Sequence, residues 1–175
     1  MQSFIAKAKP IRLVIFDVDG VLTAGILSYG INGIERKNFH VHDGQGMKLL
    51  LKSGVHIGII TTCHSDIIQR RMQDLGIQHV YRGITDKLPA YEDLKQKLQL
   101  TDQQIAYVGD DLPDLPMLNR VGFAITVANA PAIIQQHAHW TTKAKGGKGA
   151  AREVCDFIMH AQGTYQSIID SYLQR

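Results

Sequence analysis

Ile11-Arg12-Leu13-Val14-Ile15-Phe16-Asp17-Val18-Asp19-Gly20 is an almost continuous apolar run that ends abruptly in two carboxylates and a glycine. It lacks the alternation of a half-exposed strand and reads as one covered on both faces, the condition of strands in a parallel sheet. Similar runs recur at residues 55–60, 79–81, 105–108 and 123–127, and residues 140–141 add an edge. Between them, residues 46–52, 65–75, 88–98, 114–120 and 131–137 carry helical spacing, with Gly54 and Gly76 placed as left-handed stops. Thr101 and Gln104 are spaced as a capping box ahead of the fourth strand. This alternation predicts an α/β, doubly wound, Rossmann-like parallel sheet. One segment departs from it: residues 25–29 and 34–41 are strand-like and are joined by Gly30-Ile31-Asn32-Gly33, which predicts a projecting β-hairpin over 25–41. Residues 143–175 predict a basic, glycine-rich tail and then one or two helices broken near Gly163.

The chain has 175 residues, 45% hydrophobic and 20% charged, which suits one domain over residues 1–175; no repeat or linker divides it. A chain of this length buries roughly 70% of its unfolded surface without staples, so Cys63 and Cys155 read as reduced thiols. Residues 1–10 hold no long apolar core, and no run of about 18 apolar residues follows. Neither a secretory leader nor a membrane span is expected, and the cytoplasm is the expected location. Nineteen Lys and Arg against sixteen Asp and Glu leave a net charge of +3, too weak and dispersed to point to nucleic acid. A small anionic ligand remains open.

Asp17 and Asp19 are two residues apart in an extended chain and so point to one side, at the carboxyl edge where open α/β sheets bind ligands. Alone, such a pair is more often an acidic turn. A second cluster, Val108-Gly109-Asp110-Asp111-Leu112-Pro113-Asp114, falls on the same edge at the end of the fourth strand. A helix-capping role explains any one of its carboxylates but not both clusters. So many like charges call for a counter-cation, and hard oxygen ligands favour Mg²⁺. Thr61, ending the second strand, offers a hydroxyl and backbone N–H groups; Lys87, opening a helix, offers a positive charge. Singly these are a helix cap and a surface lysine, but beside the carboxylates they complete a phosphate site. The loop at 143–152 precedes a helix whose first N–H groups suit an anion, with a flexible linker as the equal alternative. Cys63 lacks the C-x₅-R spacing of a cysteine phosphatase, since position 69 is Gln69. The histidine pairs His40/His42 and His137/His139 have no third ligand nearby in sequence.

In their order, D-x-D, Thr, Lys and a closing acidic cluster, these residues resemble the four motifs of the haloacid-dehalogenase superfamily of phosphohydrolases. The layout further resembles its small, capless, tetrameric phosphatases acting on 3-deoxy-D-manno-octulosonate 8-phosphate. That likeness rests on the hairpin, on Phe39-His40-Val41-His42-Asp43-Gly44-Gln45-Gly46, on Gly83-Ile84-Thr85-Asp86-Lys87 and on Gly109-Asp110-Asp111-Leu112. Its closest run is Lys145-Gly146-Gly147-Lys148-Gly149-Ala150-Ala151-Arg152-Glu153-Val154-Cys155-Asp156.

The resemblance implies Asp17 as nucleophile and Asp19 as general acid and base. It implies Mg²⁺ on Asp17, the Asp19 backbone carbonyl and Asp110, with Thr61 and Lys87 on the phosphoryl oxygens. Asp111 and Asp114 would orient metal-bound water or Lys87. It further implies a homotetramer and a place in lipopolysaccharide biosynthesis. Where that family has Gly-Arg after the motif threonine this chain has Thr62-Cys63, and where it has an arginine before Asp43 this chain has His42. The substrate carboxylate is then expected to meet Arg71, Lys148 or Arg152.

The intervals from Asp19 to Thr61 and from Thr61 to Lys87 are filled by the elements already named, so no cap domain is expected. An uncovered site suits either a macromolecular phosphate or a small molecule enclosed by neighbouring subunits, and the apolar hairpin edges favour assembly of several copies. Two further readings keep the phosphatase chemistry: a nine-carbon, sialic-acid-type sugar-acid phosphate as substrate, or a general phosphatase. A non-enzyme alternative, a receiver-like phospho-accepting module, would carry its acceptor aspartate on a middle strand and its lysine last. Here the second strand ends in Thr61 and an acidic cluster follows Lys87, so the order is wrong.

Overall fold

The computed structural model describes residues 2–30 and 36–174. Six strands form one sheet: β1 (Leu13–Phe16), β2 (His56–Ile60), β3 (His79–Tyr81), β4 (Ile105–Gly109), β5 (Phe123–Thr126) and β6 (Trp140–Thr141). All pairings are parallel, in the order β3-β2-β1-β4-β5-β6. Every residue of β1, β4 and β5 is buried, as unbroken apolar runs require. The order reverses at β1, which has β2 on one side and β4 on the other. A crevice therefore opens beyond the carboxyl ends of β1 and β4.

The helices are α1 (Gln2–Ala8), α2 (Val41–Lys52), α3 (Asp66–Leu75), α4 (Lys87–Lys97), α5 (Leu115–Leu118), α6 (Ala132–His137), α7 (Ala150–Gln162) and α8 (Tyr165–Leu173). One layer joins α2, α7, α1 and α8, with α3 against α2; a second joins α4, α5 and α6. One contiguous apolar core fills the space between the layers and the sheet, with Phe16, Ile59, Tyr107 and Phe123 at zero exposure. Among the described residues no helix is long and apolar enough to cross a membrane.

Local signals act where expected. Gly76 closes α3 with φ +75°, Gly163 separates α7 from α8 with φ +72°, and Thr101 and Gln104 form a capping box. Three features differ. α2 begins at Val41 rather than at residue 46, because Gly44 and Gly46 disguise its first turns. Both glycines are needed for packing: a Cβ would lie 2.3 Å from an Arg71 guanidinium nitrogen at Gly44 and 2.7 Å from Arg152 Cδ at Gly46. The hairpin expected over 25–41 is not one of these, since residues 31–35 lie outside the described residues; of the flanking 25–30 and 36–40, Tyr29 forms a bridge. The helix expected over 114–120 is only Leu115–Leu118 after a 3₁₀ turn over Leu112–Asp114, with Pro113 and Pro116 each starting a segment. α1 was not expected, since its seven residues carry neither cap nor stop signal.

Candidate active site

The loop after β1 holds Asp17 in the crevice. The Asp17 N–H donates to the Val108 carbonyl (3.0 Å), extending the β1–β4 ladder by one residue. The Val18 carbonyl then accepts from Val21, Leu22 and Thr23, which turns the chain sharply. Gly20 at the bend has φ +91°, and a Cβ there would sit 1.9 Å from Asp110 Oδ2. The loops carrying the two acidic clusters therefore touch, and only glycine permits it.

The glycine-rich run closes on the same loop. A Cβ on Gly146 would lie 1.6 Å from the Gly20 carbonyl oxygen, and the Gly147 N–H donates to the Val21 carbonyl at 2.8 Å. This run is a packed strap and not a flexible linker. Nor are the N–H groups at the start of α7 open to a ligand: buried Asp43 accepts from Gly149 (3.3 Å) and Arg152 (2.8 Å). The anion expected at that helix start is the chain's own carboxylate.

Lys87, on the first turn of α4, reaches back under the sheet edge. Its Nζ donates to Asp114 Oδ1 at 2.7 Å and lies 3.0 Å from Asp17 Oδ1. The Tyr107 hydroxyl donates to the same Asp114 oxygen at 2.6 Å, while Asp114 Oδ2 accepts the N–H groups of Asp110 (2.9 Å) and Asp111 (3.2 Å). Asp114 is thus saturated by four donors and holds Lys87 against Asp17. Asp111 caps the 3₁₀ turn through the Leu112 N–H (2.8 Å), and Asp114 closes the capping box on the Asp111 N–H, so the capping reading holds for these two carboxylates.

Burial dominates the electrostatics. The Asp17 carboxyl is pushed up to about 7, chiefly by burial, with Asp114 adding to the rise and Lys87 opposing it. Asp110 also rises to about 7, by burial first and then through Asp17, Asp114 and Asp111. Burial alone would lower Lys87, but Asp17 and Asp114 outweigh it and raise the ammonium above its usual range. Burial, then Asp114, drives the Tyr107 hydroxyl well above the ordinary tyrosine range.

Oxygens of Asp17, Asp110 and Asp114 lie within 4.8 Å of one another. Asp114 is spent on its four donors, whereas Asp110 Oδ1 is buried without a hydrogen-bond partner among the described residues. A buried orphan oxygen beside a second carboxylate of raised pKa fits a small hard cation shared by Asp17 and Asp110. The cleft, of about 430 Å³, is also lined by Asp19, Thr62, Cys63 and Leu27.

Thr61 is buried at the end of β2; its hydroxyl accepts the Cys63 N–H at 3.2 Å, shaping the turn that brings Thr62 and Cys63 to the cleft. Arg71, Lys148 and Arg152 do not line the cleft of their own chain. Arg152 Nε is committed to both oxygens of Asp156 (2.8 and 2.7 Å), Lys148 is exposed, and Arg71 lies over the Phe39 ring with Nε buried and unpartnered. Two site residues escaped the sequence reading. Tyr107 was indistinguishable from core in an apolar strand, and Lys37 lies in a stretch with no motif, yet its Nζ sits 2.6 Å from Asp19 Oδ1.

Comparison with known proteins agrees with this geometry. A family profile described as haloacid dehalogenase-like hydrolase matches residues 59–154. The 3-deoxy-D-manno-octulosonate 8-phosphate phosphatase of Escherichia coli K12 is 45% identical over 159 residues, covering 91% of this chain and 85% of that protein. The crystal structure of a probable YrbI family phosphatase from Pseudomonas syringae superposes with a TM-score of 0.97 at 47% identity, covering 99% of this chain and 98% of the other. A 3-deoxy-D-manno-octulosonate 8-phosphate phosphatase from Moraxella catarrhalis, solved with magnesium, phosphate and KDO, gives 0.96 at 40% identity, covering 98% and 99%. With the acidic pair, the lysine and the second acidic cluster assembled on one sheet edge, this chain belongs to the haloacid dehalogenase-like hydrolases, in their 3-deoxy-D-manno-octulosonate 8-phosphate phosphatase branch.

Proposed function

We propose that the protein is a Mg²⁺-dependent phosphatase that cleaves 3-deoxy-D-manno-octulosonate 8-phosphate to KDO and phosphate through an aspartyl-phosphate. The observation that carries this is Asp17 held by the Lys87–Asp114–Tyr107 chain beside the unpartnered oxygen of Asp110. Bound between Asp17, the Asp19 backbone carbonyl and Asp110, Mg²⁺ would neutralise phosphoryl charge. Lys87 and the turn of Thr61 and Thr62 take phosphoryl oxygens. The Asp17 carboxylate attacks phosphorus; the bond from phosphorus to the sugar oxygen breaks, and the leaving oxygen keeps the electron pair and takes a proton from Asp19. Water then attacks phosphorus, giving its proton to Asp19; the bond from phosphorus to the Asp17 oxygen breaks, and phosphate leaves with the Asp17 carboxylate and the Asp19 carboxylic acid restored.

The cleft is also lined by Cys63, Leu27 and Pro113, which carry no charge for a remote carboxylate. We place that contact on a neighbouring subunit, through Arg71 or Lys148, with Arg152 less available because Asp156 holds it. A homotetramer in the cytoplasm accommodates this, and Ile26, Leu27, Tyr29 and Val41, each at least 60% exposed, are the apolar surface it would cover. Asp17→Asn tests the chemistry: phosphate release should drop by about 10⁴-fold or more, with no acid-stable phosphoprotein trapped on quenching. A tenth of the activity surviving would overturn the covalent route. Comparable kcat/KM for the sugar-acid phosphate and a neutral hexose phosphate would instead leave a general phosphatase.

A further inference from the structure

We infer that Lys37 is a positioning residue for Asp19, setting which carboxyl oxygen delivers the proton to the departing alkoxide. The inference rests on the phosphatase reading above. Lys37 lies in the irregular stretch ahead of α2, remote from Asp19 in sequence, yet its side chain is only 3% exposed and its Nζ is 2.6 Å from Asp19 Oδ1. That is the short distance of a charge-assisted hydrogen bond. Burying an ammonium is costly, so a lysine this deep needs ion partners, and the Asp19 carboxylate is one that it in turn holds.

Asp19 has little else to fix it. Its other contact is the Thr23 hydroxyl at 3.4 Å, on the same Oδ1 and at the limit of a hydrogen bond. Oδ2 has no hydrogen-bond partner among the described residues, and the side chain, 32% exposed, lines the cleft. The two oxygens are therefore unequal. The ammonium occupies Oδ1, which leaves Oδ2 as the oxygen available to the leaving group. Lys37 thereby aims the acidic oxygen and keeps the carboxyl from rotating. Lys87 stands apart from this contact, 3.0 Å from Asp17 Oδ1, so Lys37 serves the leaving-group side of the reaction and not the phosphoryl side.

A proton donor matters most when the leaving oxygen is basic. The test compares Lys37→Met and Lys37→Arg on 3-deoxy-D-manno-octulosonate 8-phosphate, whose leaving group is an alkoxide, and on 4-nitrophenyl phosphate, whose leaving group is a stable phenolate. Lys37→Met should lower kcat on the sugar phosphate by about 10- to 100-fold and on the aryl phosphate by no more than about threefold. Lys37→Arg, which keeps charge and reach, should retain most of the rate. Adding Lys37→Met to Asp19→Asn should cost nothing further. Equal losses on both substrates, arginine as damaging as methionine, or a double variant slower than Asp19→Asn would each overturn the inference. Failure of the unaltered protein to release phosphate from either substrate would sink the phosphatase reading instead.

Discussion

Asp17 and Asp110 are two carboxyls raised to about 7 by burial, and that determines how metal and protons compete. In the folded, metal-free protein both groups hold protons up to about pH 7, whereas the unfolded chain releases them near 4. The stability they contribute is complete below about 4 and is lost as pH rises through 7. Mg²⁺ binds the ionised pair, so its affinity falls as pH falls below 7. Titrating Mg²⁺ in thermal melts should give a clear rise in Tm at pH 8 and little at pH 5.5. An equal rise at both would show that these carboxyls are not the ligands. Asp114→Asn tests the support behind them: it keeps the shape but removes the charge that offsets Lys87. Phosphate release should fall by about 10²-fold, the scale of a lost preorganised contact, measured as kcat/KM under saturating Mg²⁺.

At the level of elements, the active site is held in shape by glycines at which segments distant in sequence meet. Gly146→Ala would place a Cβ 1.6 Å from the Gly20 carbonyl oxygen, a backbone atom that cannot step aside. The nucleophile loop would have to move, so about 3 kcal/mol of stability and most of the activity should be lost together. Gly54→Ala is the control: it meets nothing within 4 Å and is strained only by its φ of +91°. About 1 kcal/mol should be lost there, with kcat unchanged. Denaturant unfolding beside steady-state kinetics separates the two. Asp43, which ties α2 to the start of α7, follows a different rule. Asp43→Ala strands two N–H donors and should cost about 1–2 kcal/mol, read as a fall in Tm without a change in the pH profile.

For the whole molecule, the question is what shields an open cleft and an apolar collar. Tyr29 is 80% exposed, Ile26 74% and Leu27 60%, a large cost for a monomer, and Leu27 also lines the cleft. Leu27→Lys with Tyr29→Lys should shift the protein to smaller species in light scattering. It should also raise KM for the sugar-acid phosphate more than for 4-nitrophenyl phosphate, whose smaller leaving group needs less enclosure. An unchanged mass with full activity would remove the argument for assembly.

The parallel sheet could be read from the chain because its strands are buried on both faces, so each is a bare apolar run between helical segments. The carboxylates were legible for a related reason. Ligands of such a sheet gather at the carboxyl ends of strands, and Asp17, Thr61 and Asp110 each stand where an apolar run stops. Local pattern could not reveal contacts between segments distant in sequence. Lys37 at Asp19, Tyr107 at Asp114, Asp43 on α7 and Gly146 against Gly20 all join residues that no periodicity links. Residue types along the chain thus sufficed for the sheet, its functional edge and the chemistry placed there. Folding in three dimensions alone determined which neighbour burdens or steadies each charged group, because burial and electrostatic coupling depend on distance in space and not on position in sequence.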